Sequence, residues 1–245
     1  MRDRSPQHRM TLICSALFFS PLLAWAADGE SIMQKGGSNP AALPCITCHG
    51  ADGKGMAAAG FPRLAGLPAA YIAKQLGDFK AGRRENPIMQ PIASVLTDEE
   101  VAAVAKAYSE RPKVNVSAPS TDRPTEGSGA WIALRGAWER NIPECTLCHG
   151  PAGIGVGSSF PPLAGQSVTY IENQLRAWRG TKAVAAGKHV KAVAATPPTR
   201  HNDPNGLMRH IAADLSDAEI TAVAEYFGNL GDSSEPFDES QHRLR

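Results

Sequence analysis

Two stretches far apart in the chain put apolar residues on one helical face in the same way. Val101, Val104 and Tyr108 share a face, as do Ile220, Val223 and Phe227. Each stretch opens with the spacing of a capping box, Thr97 with Glu100 and Ser216 with Glu219. Earlier in each half, a second helix is expected from Pro68 to Gly82 and from Ser167 to Gly180, with favourable start and stop residues at the ends. Trp131, Leu134 and Trp138, at i, i+3 and i+7, predict a further amphipathic helix. No run alternates as a strand would, so the pattern predicts an all-α protein.

The helices recur because the chain repeats itself. Phe61-Pro62-Arg63-Leu64-Ala65-Gly66 returns as Phe160-Pro161-Pro162-Leu163-Ala164-Gly165, and Tyr71, Gln75 and Leu76 return as Tyr170, Gln174 and Leu175. The offset then widens by about twenty residues between Gly180 and Met208. This implies two tandem modules, 27–110 and 130–245, the second with an insertion at about 181–201. Residues 111–129, rich in Pro, Ser and Thr, read as an exposed linker. Each module is at the small end of what can bury its own core. It carries rather few large apolar residues, so a large apolar prosthetic group would help to complete it.

Residues 1–26 read as a secretory signal peptide. Arg2, Arg4 and Arg9 precede an apolar run, and Ala24-Trp25-Ala26 offers small residues for cleavage. The run is shorter than a bilayer span and contains Pro21, which argues against a retained anchor. Bulky Ile13 ahead of Cys14 argues against lipid attachment. The expected location is the periplasm, with no transmembrane segment in the mature chain and peripheral membrane association left open. Removing the three arginines and one aspartate of this segment from 25 basic and 24 acidic residues leaves a chain near neutrality. Nothing in that balance points to nucleic acid.

Beyond the signal, all four cysteines fall in two copies of Cys-x-x-Cys-His-Gly, at Cys45, Cys48 and His49 and at Cys145, Cys148 and His149. Cysteines at i and i+3 lie on one side of a helical turn. Two thiols can thus bond the vinyl groups of one haem while the next residue, histidine, reaches the iron. The rival readings are weaker: zinc needs four ligands, and a thioredoxin-like redox pair needs a βαβ setting. For the opposite face of each iron, the repeat aligns Met89 with Met208. Met33 has no counterpart, and Met56, aligned with Val156, lies too near His49 in sequence. His189, His201 and His210 remain competitors at the second iron.

With these motifs in place, the chain resembles the two-haem class I cytochromes c, specifically the cytochrome c4 family. CHGADGKG, FPRLAGLPAAYIAKQL and NPIMQPIASVLTDEEVAAVAKAY, with their second copies, carry the likeness over nearly the whole mature chain. It implies two tandem class I cytochrome c domains, two covalent haem c groups, His/Met ligation at both irons and single-electron transfer between redox protein partners. It also implies that the carbonyls of Pro62 and Pro161 receive the ring N–H of each histidine. No catalytic constellation accompanies the motifs, so an enzyme is not expected. Two alternatives remain: the cytochrome subunit of a sulfide- or alcohol-oxidising dehydrogenase, and a haem enzyme if the second iron has an open site. The second module departs from the first at Pro162 for Arg63, at Trp178 for Phe79, and in its insertion. Lys182, Lys188, Lys191, Arg200, His189 and His201 there suggest a docking surface for an acidic partner.

Overall fold

The computed structural model describes residues 27–116, 123–181 and 194–231. The expected signal peptide, the middle of the linker and most of the insertion lie outside these residues. The helices of the first half are α1 (Gly29–Lys35), α2 (Ile46–His49), α3 (Ala69–Lys80), α4 (Met89–Ser94) and α5 (Asp98–Ser109). Those of the second are α6 (Gly129–Arg135), α7 (Cys145–His149), α8 (Val168–Arg179), α9 (Leu207–Asp214) and α10 (Asp217–Gly228). Among the described residues the only β pairing is in isolated bridges.

Both halves pack in the same order. α5 lies against α1 and α3, with α4 on α3; α10 lies against α6 and α8, with α9 on α8. Both expected capping boxes form, at Thr97 and Ser216, and α3 and α8 start directly after Pro68 and Ser167. The crossing of first and last helix depends on a glycine. A Cβ at Gly29 would strike the backbone carbonyl of Ala103, and one at Gly129 that of Ala222. Such close approach lets the apolar faces meet: Ile32 and Met33 join Val104 and Tyr108, and Ile132 joins Ile220, Val223 and Phe227.

Two expectations need correction. Trp138 does not share the face of α6: Gly136, at φ 72°, ends that helix, and Trp138 sits 59% exposed in a separate short turn. The residues α6 buries are Gly129, Ile132 and Ala133. The linker is exposed at Pro112, Lys113 and Asn115, as expected, but not at its sixth residue. Val116 is buried, pairs with Gly231 and packs with Ala152 and Ala164 of the second module.

The modules are joined through side chains of α3 and α8 and the segments that follow these helices. Arg84 and Arg200 pair as an antiparallel bridge, flanked by backbone hydrogen bonds from Glu85 to Thr199 and from His201 to Arg83. Arg84 donates to Gln75 of its own module and to Gln174 and Tyr170 of the other. Arg200 donates to the same two glutamines and to Asn202, and Asn202 donates to Gln75 and Asp78. Each guanidinium also covers an aromatic ring, Arg84 over Phe79 at 4.5 Å and Arg200 over Trp178 at 3.7 Å. Arg200 is therefore buried in the interface and takes no part in an exposed basic docking loop. Lys182, Lys188, His189 and Lys191 lie outside the described residues.

Candidate haem sites

Each Cys-x-x-Cys-His run forms one short helical turn, α2 with Cys45 as its N-cap, and α7 from Cys145. All four thiols are free and partly buried. Burial pushes the Cys45 thiol up to about 11 and the Cys145 thiol to about 12. A free metal-binding thiolate is disfavoured in such surroundings, whereas a neutral thioether suits them.

The histidines are almost fully buried. His49 Nδ1 lies 2.9 Å from the Pro62 carbonyl oxygen, and His149 Nδ1 2.8 Å from that of Pro161. A carbonyl can only accept, so Nδ1 carries the proton in both rings and Nε2 keeps its lone pair. Burial lowers both imidazole pKa values against the opposing pull of the proline carbonyls; Arg84 adds to the lowering at His49. Both rings are thus neutral and ready to bind a metal through Nε2. Phe61 and Phe160 contact these rings edge-on, with centroids 6.4 and 6.0 Å away.

Met89 is the first residue of α4, and Met208 the second of α9; both are half-buried. Asn86 Oδ1 accepts from the Met89 amide and fixes the start of α4. Met208 packs against the second core together with Cys145 and Trp178. The other methionines take other roles, Met33 filling the first core and Met56 standing 46% exposed. His201 and His210 face Glu85 and Asp214 on the surface. His189 lies outside the described residues.

The remaining polar groups fit haem c. Tyr108 and Tyr226 hydroxyls and Trp178 Nε1 are buried with no hydrogen-bond partner among the described residues. Among the same residues no carboxylate hydrogen-bonds Arg84 or Arg200; burial, then Arg84, lowers Arg200 to about 10. Burial raises the Tyr170 pKa, but the two guanidiniums outweigh it and leave the value lowered. Unpaired donors and two crowded cations suit a cofactor that brings carboxylates of its own.

The cytochrome c family model matches residues 26–106 and 141–231, once for each copy of the motif. The chain belongs to the cytochrome c family. Its two domains bind two covalently attached haem c groups, in the arrangement of cytochrome c4. A thiosulfate dehydrogenase electron acceptor of Stutzerimonas stutzeri is 57% identical over 89% of this chain and 92% of its own length. Cytochrome c4 of Thiocapsa roseopersicina is 40% identical over 76% of this chain and 86% of its own. Among solved structures, a thiosulfate dehydrogenase of Marichromatium purpuratum matches 89% of this chain with a TM-score of 0.66 and 35% identity. This chain spans 41% of that one. Reduced cytochrome c4 of Pseudomonas stutzeri matches at TM-score 0.60 and 29% identity, over 76% of this chain and 93% of its own. The cytochrome is thus an electron-transfer protein of the dihaem type.

Sequence reasoning located both haem motifs, both prolines and the aligned methionines. It assigned no part to Phe61, Phe160, Arg84 or Gln166. The two phenylalanines could have been found, since each opens the repeated Phe-Pro stretch. Gln166 has Leu67 as its counterpart, so the repeat gave no sign of it.

Proposed function

We propose that this cytochrome is the electron acceptor of a thiosulfate-oxidising catalytic unit in the periplasm. In this reading His49 and Met89 would hold the first haem iron, and His149 and Met208 the second. Cys45, Cys48, Cys145 and Cys148 form the thioethers. When bound, haem supplies a one-electron iron couple in each domain.

The chain's own residues do the rest. Pro62 and Pro161 hold the imidazoles in one tautomer and orientation, which sets their basicity toward the metal. Methionine sulfur favours the reduced iron. With a histidine and a methionine holding each iron, a substrate would find no position to bind, and the chain would carry electrons without bond chemistry. Arg84 and Arg200 bind the domains edge to edge, so that an electron entering one has a fixed neighbour to pass to.

One observation carries the electron-relay reading: both domains build the same buried His–Pro hydrogen bond, with a methionine on the helix packed against α3 or α8. The choice of partner is supported by similarity to the Stutzerimonas acceptor over 92% of that protein's length.

Two measurements test the reading. The methionine-to-ferric-iron charge-transfer band of the holoprotein is expected to fall by about half in Met89→Ala and in Met208→Ala, and to vanish in the double variant. A full band in either single variant rejects that ligand. In stopped flow, thiosulfate with a catalytic thiosulfate dehydrogenase should reduce both haems, whereas thiosulfate alone should not. Rapid reduction by thiosulfate alone would show that the chain is itself an enzyme.

A further inference from the structure

The peptide group between Pro62 and Arg63 is engaged on both sides. Its carbonyl accepts from His49 Nδ1 at 2.9 Å, and its N–H, that of Arg63, donates to Gln166 Oε1 at 2.8 Å. Gln166 belongs to the second domain, just ahead of α8, and is 6% exposed. Its Nε2 donates back to the Arg63 carbonyl at 3.1 Å. Oε1 also accepts from the Ser167 amide at 3.2 Å. Two backbone donors on one atom leave no doubt which end of the amide is oxygen.

Hydrogen bonds in series polarise one another when buried. Drawing on the Arg63 N–H makes the Pro62 oxygen a stronger acceptor, and the His49 ring then gains imidazolate character. The second domain cannot do the same. The residue after Pro161 is Pro162, which has no N–H, and the position matching Gln166 in the first domain is Leu67. The relay therefore runs in one direction only.

We propose that Gln166 is a positioning residue for the first haem, tuning His49 across the domain interface through the Pro62–Arg63 peptide. A more basic imidazole favours ferric iron, so the relay lowers the potential of the first haem relative to the second. Electrons entering the chain are thereby biased toward residence on the second domain. Undocking the domains would remove the bias. The inference rests on His49 ligating the first iron.

The test uses the full haem-loaded chain with Gln166→Leu, the residue the first domain carries at the matching position. Redox titration should show one potential raised, by about three- to tenfold in that haem's reduction equilibrium; tenfold is about 59 mV for one electron. Proton NMR of the ferric chain, with nitrogen-15 histidine, should show the His49 Nδ1 proton displaced and that of His149 unmoved. Gln166→Glu keeps an acceptor for Arg63 and should lower the same potential. Unchanged potentials in Gln166→Leu overturn the relay. So does a common shift of both haems, which would report a loosened interface, or a rise in Gln166→Glu. If the unsubstituted chain shows no iron-shifted exchangeable proton from His49, the ligand assignment fails and the relay with it. A His49 proton that is present but indifferent to Gln166→Leu rejects the relay alone.

Discussion

The first domain follows its proximal proline with Arg63, and the second follows its own with Pro162. Around that one difference the domains diverge although their helices superpose in order. Arg63 reaches the carbonyls of Ala65 and Pro112 and exchanges hydrogen bonds with Gln166. The first haem loop is thus anchored to the linker and to the partner domain. The second loop makes the same His149–Pro161 bond without an N–H behind it. Duplication kept the ligand geometry in both halves, while the surroundings that modulate it became unequal.

The sharpest way to break the pairing of the halves is at their shared weak point. Gly29→Ala places a methyl against the Ala103 carbonyl and the Ala107 side chain, and Gly129→Ala one against the Ala222 backbone. Backbone cannot turn aside as a side chain can, so the crossing helices must separate. Each substitution should cost about 3 kcal/mol or more. Because the crossings are separate, each variant should disturb chiefly its own domain in denaturant titrations followed at the haem bands. A loss below about 1 kcal/mol would mean that the crossing relaxes easily.

A middle-sized effect is expected where the domains clasp. Arg84 and Arg200 share Gln75 and Gln174, so truncating either to methionine removes one donor from each amide, leaving Gln174 Oε1 with one and Gln75 Oε1 with two. The expected cost is about 2 kcal/mol, and the two domains should then unfold at separate denaturant concentrations. Arg200 should be the more damaging loss, since it also holds Asn202 and stacks closely on Trp178. One unsplit transition in both variants would show that the clasp contributes little to coupling.

This clasp also shows what sequence could and could not reveal. The Cys-x-x-Cys-His runs and the prolines facing their histidines were legible because their local spacing is fixed and the duplication repeats it, whereas only the repeat singled out Met89 and Met208. Helix starts were legible from Thr97, Ser216 and Ser167, whose side chains act within four residues. Trp138 was misread because its apolar spacing looked helical, while the decisive feature was the positive φ at Gly136. Arg200 was misread because a basic residue in an insertion resembles a solvated one. Only its long-range partners, Gln75 of the other domain and Trp178, explain its burial, and no local pattern encodes such contacts. Gln166 was silent for the same reason, since its role exists only once the two copies have docked.

The smallest expected effect compares the two capping-box glutamates. Glu100 accepts from Thr97 and Ser38 amides, while Glu219 accepts from Ser216 and also binds Arg140 through both carboxylate oxygens. The Arg140 hydrogen bonds are the largest cause that holds Glu219 down at about 2. At Glu100 burial opposes the charge, yet the backbone donors prevail and lower its pKa. A carboxylate depressed in the folded state adds stability above its unfolded pKa and loses it as pH falls through the folded one. For Glu219 that window runs from about 4.5 down to about 2. Glu219→Gln should therefore cost about 1–2 kcal/mol at neutral pH, and the difference from the unsubstituted chain should close as the pH approaches 2. Arg140→Gln should reproduce most of the loss in the second domain and none in the first, because Glu100 has no arginine among its hydrogen-bond partners. Urea titrations of the holoprotein at neutral and acid pH would measure both effects. If the deficit of Glu219→Gln stayed constant over that range, the ion pair would not be the source of its stability. The deficit would then come from the changed shape and hydrogen bonding of the side chain, with its charge contributing nothing.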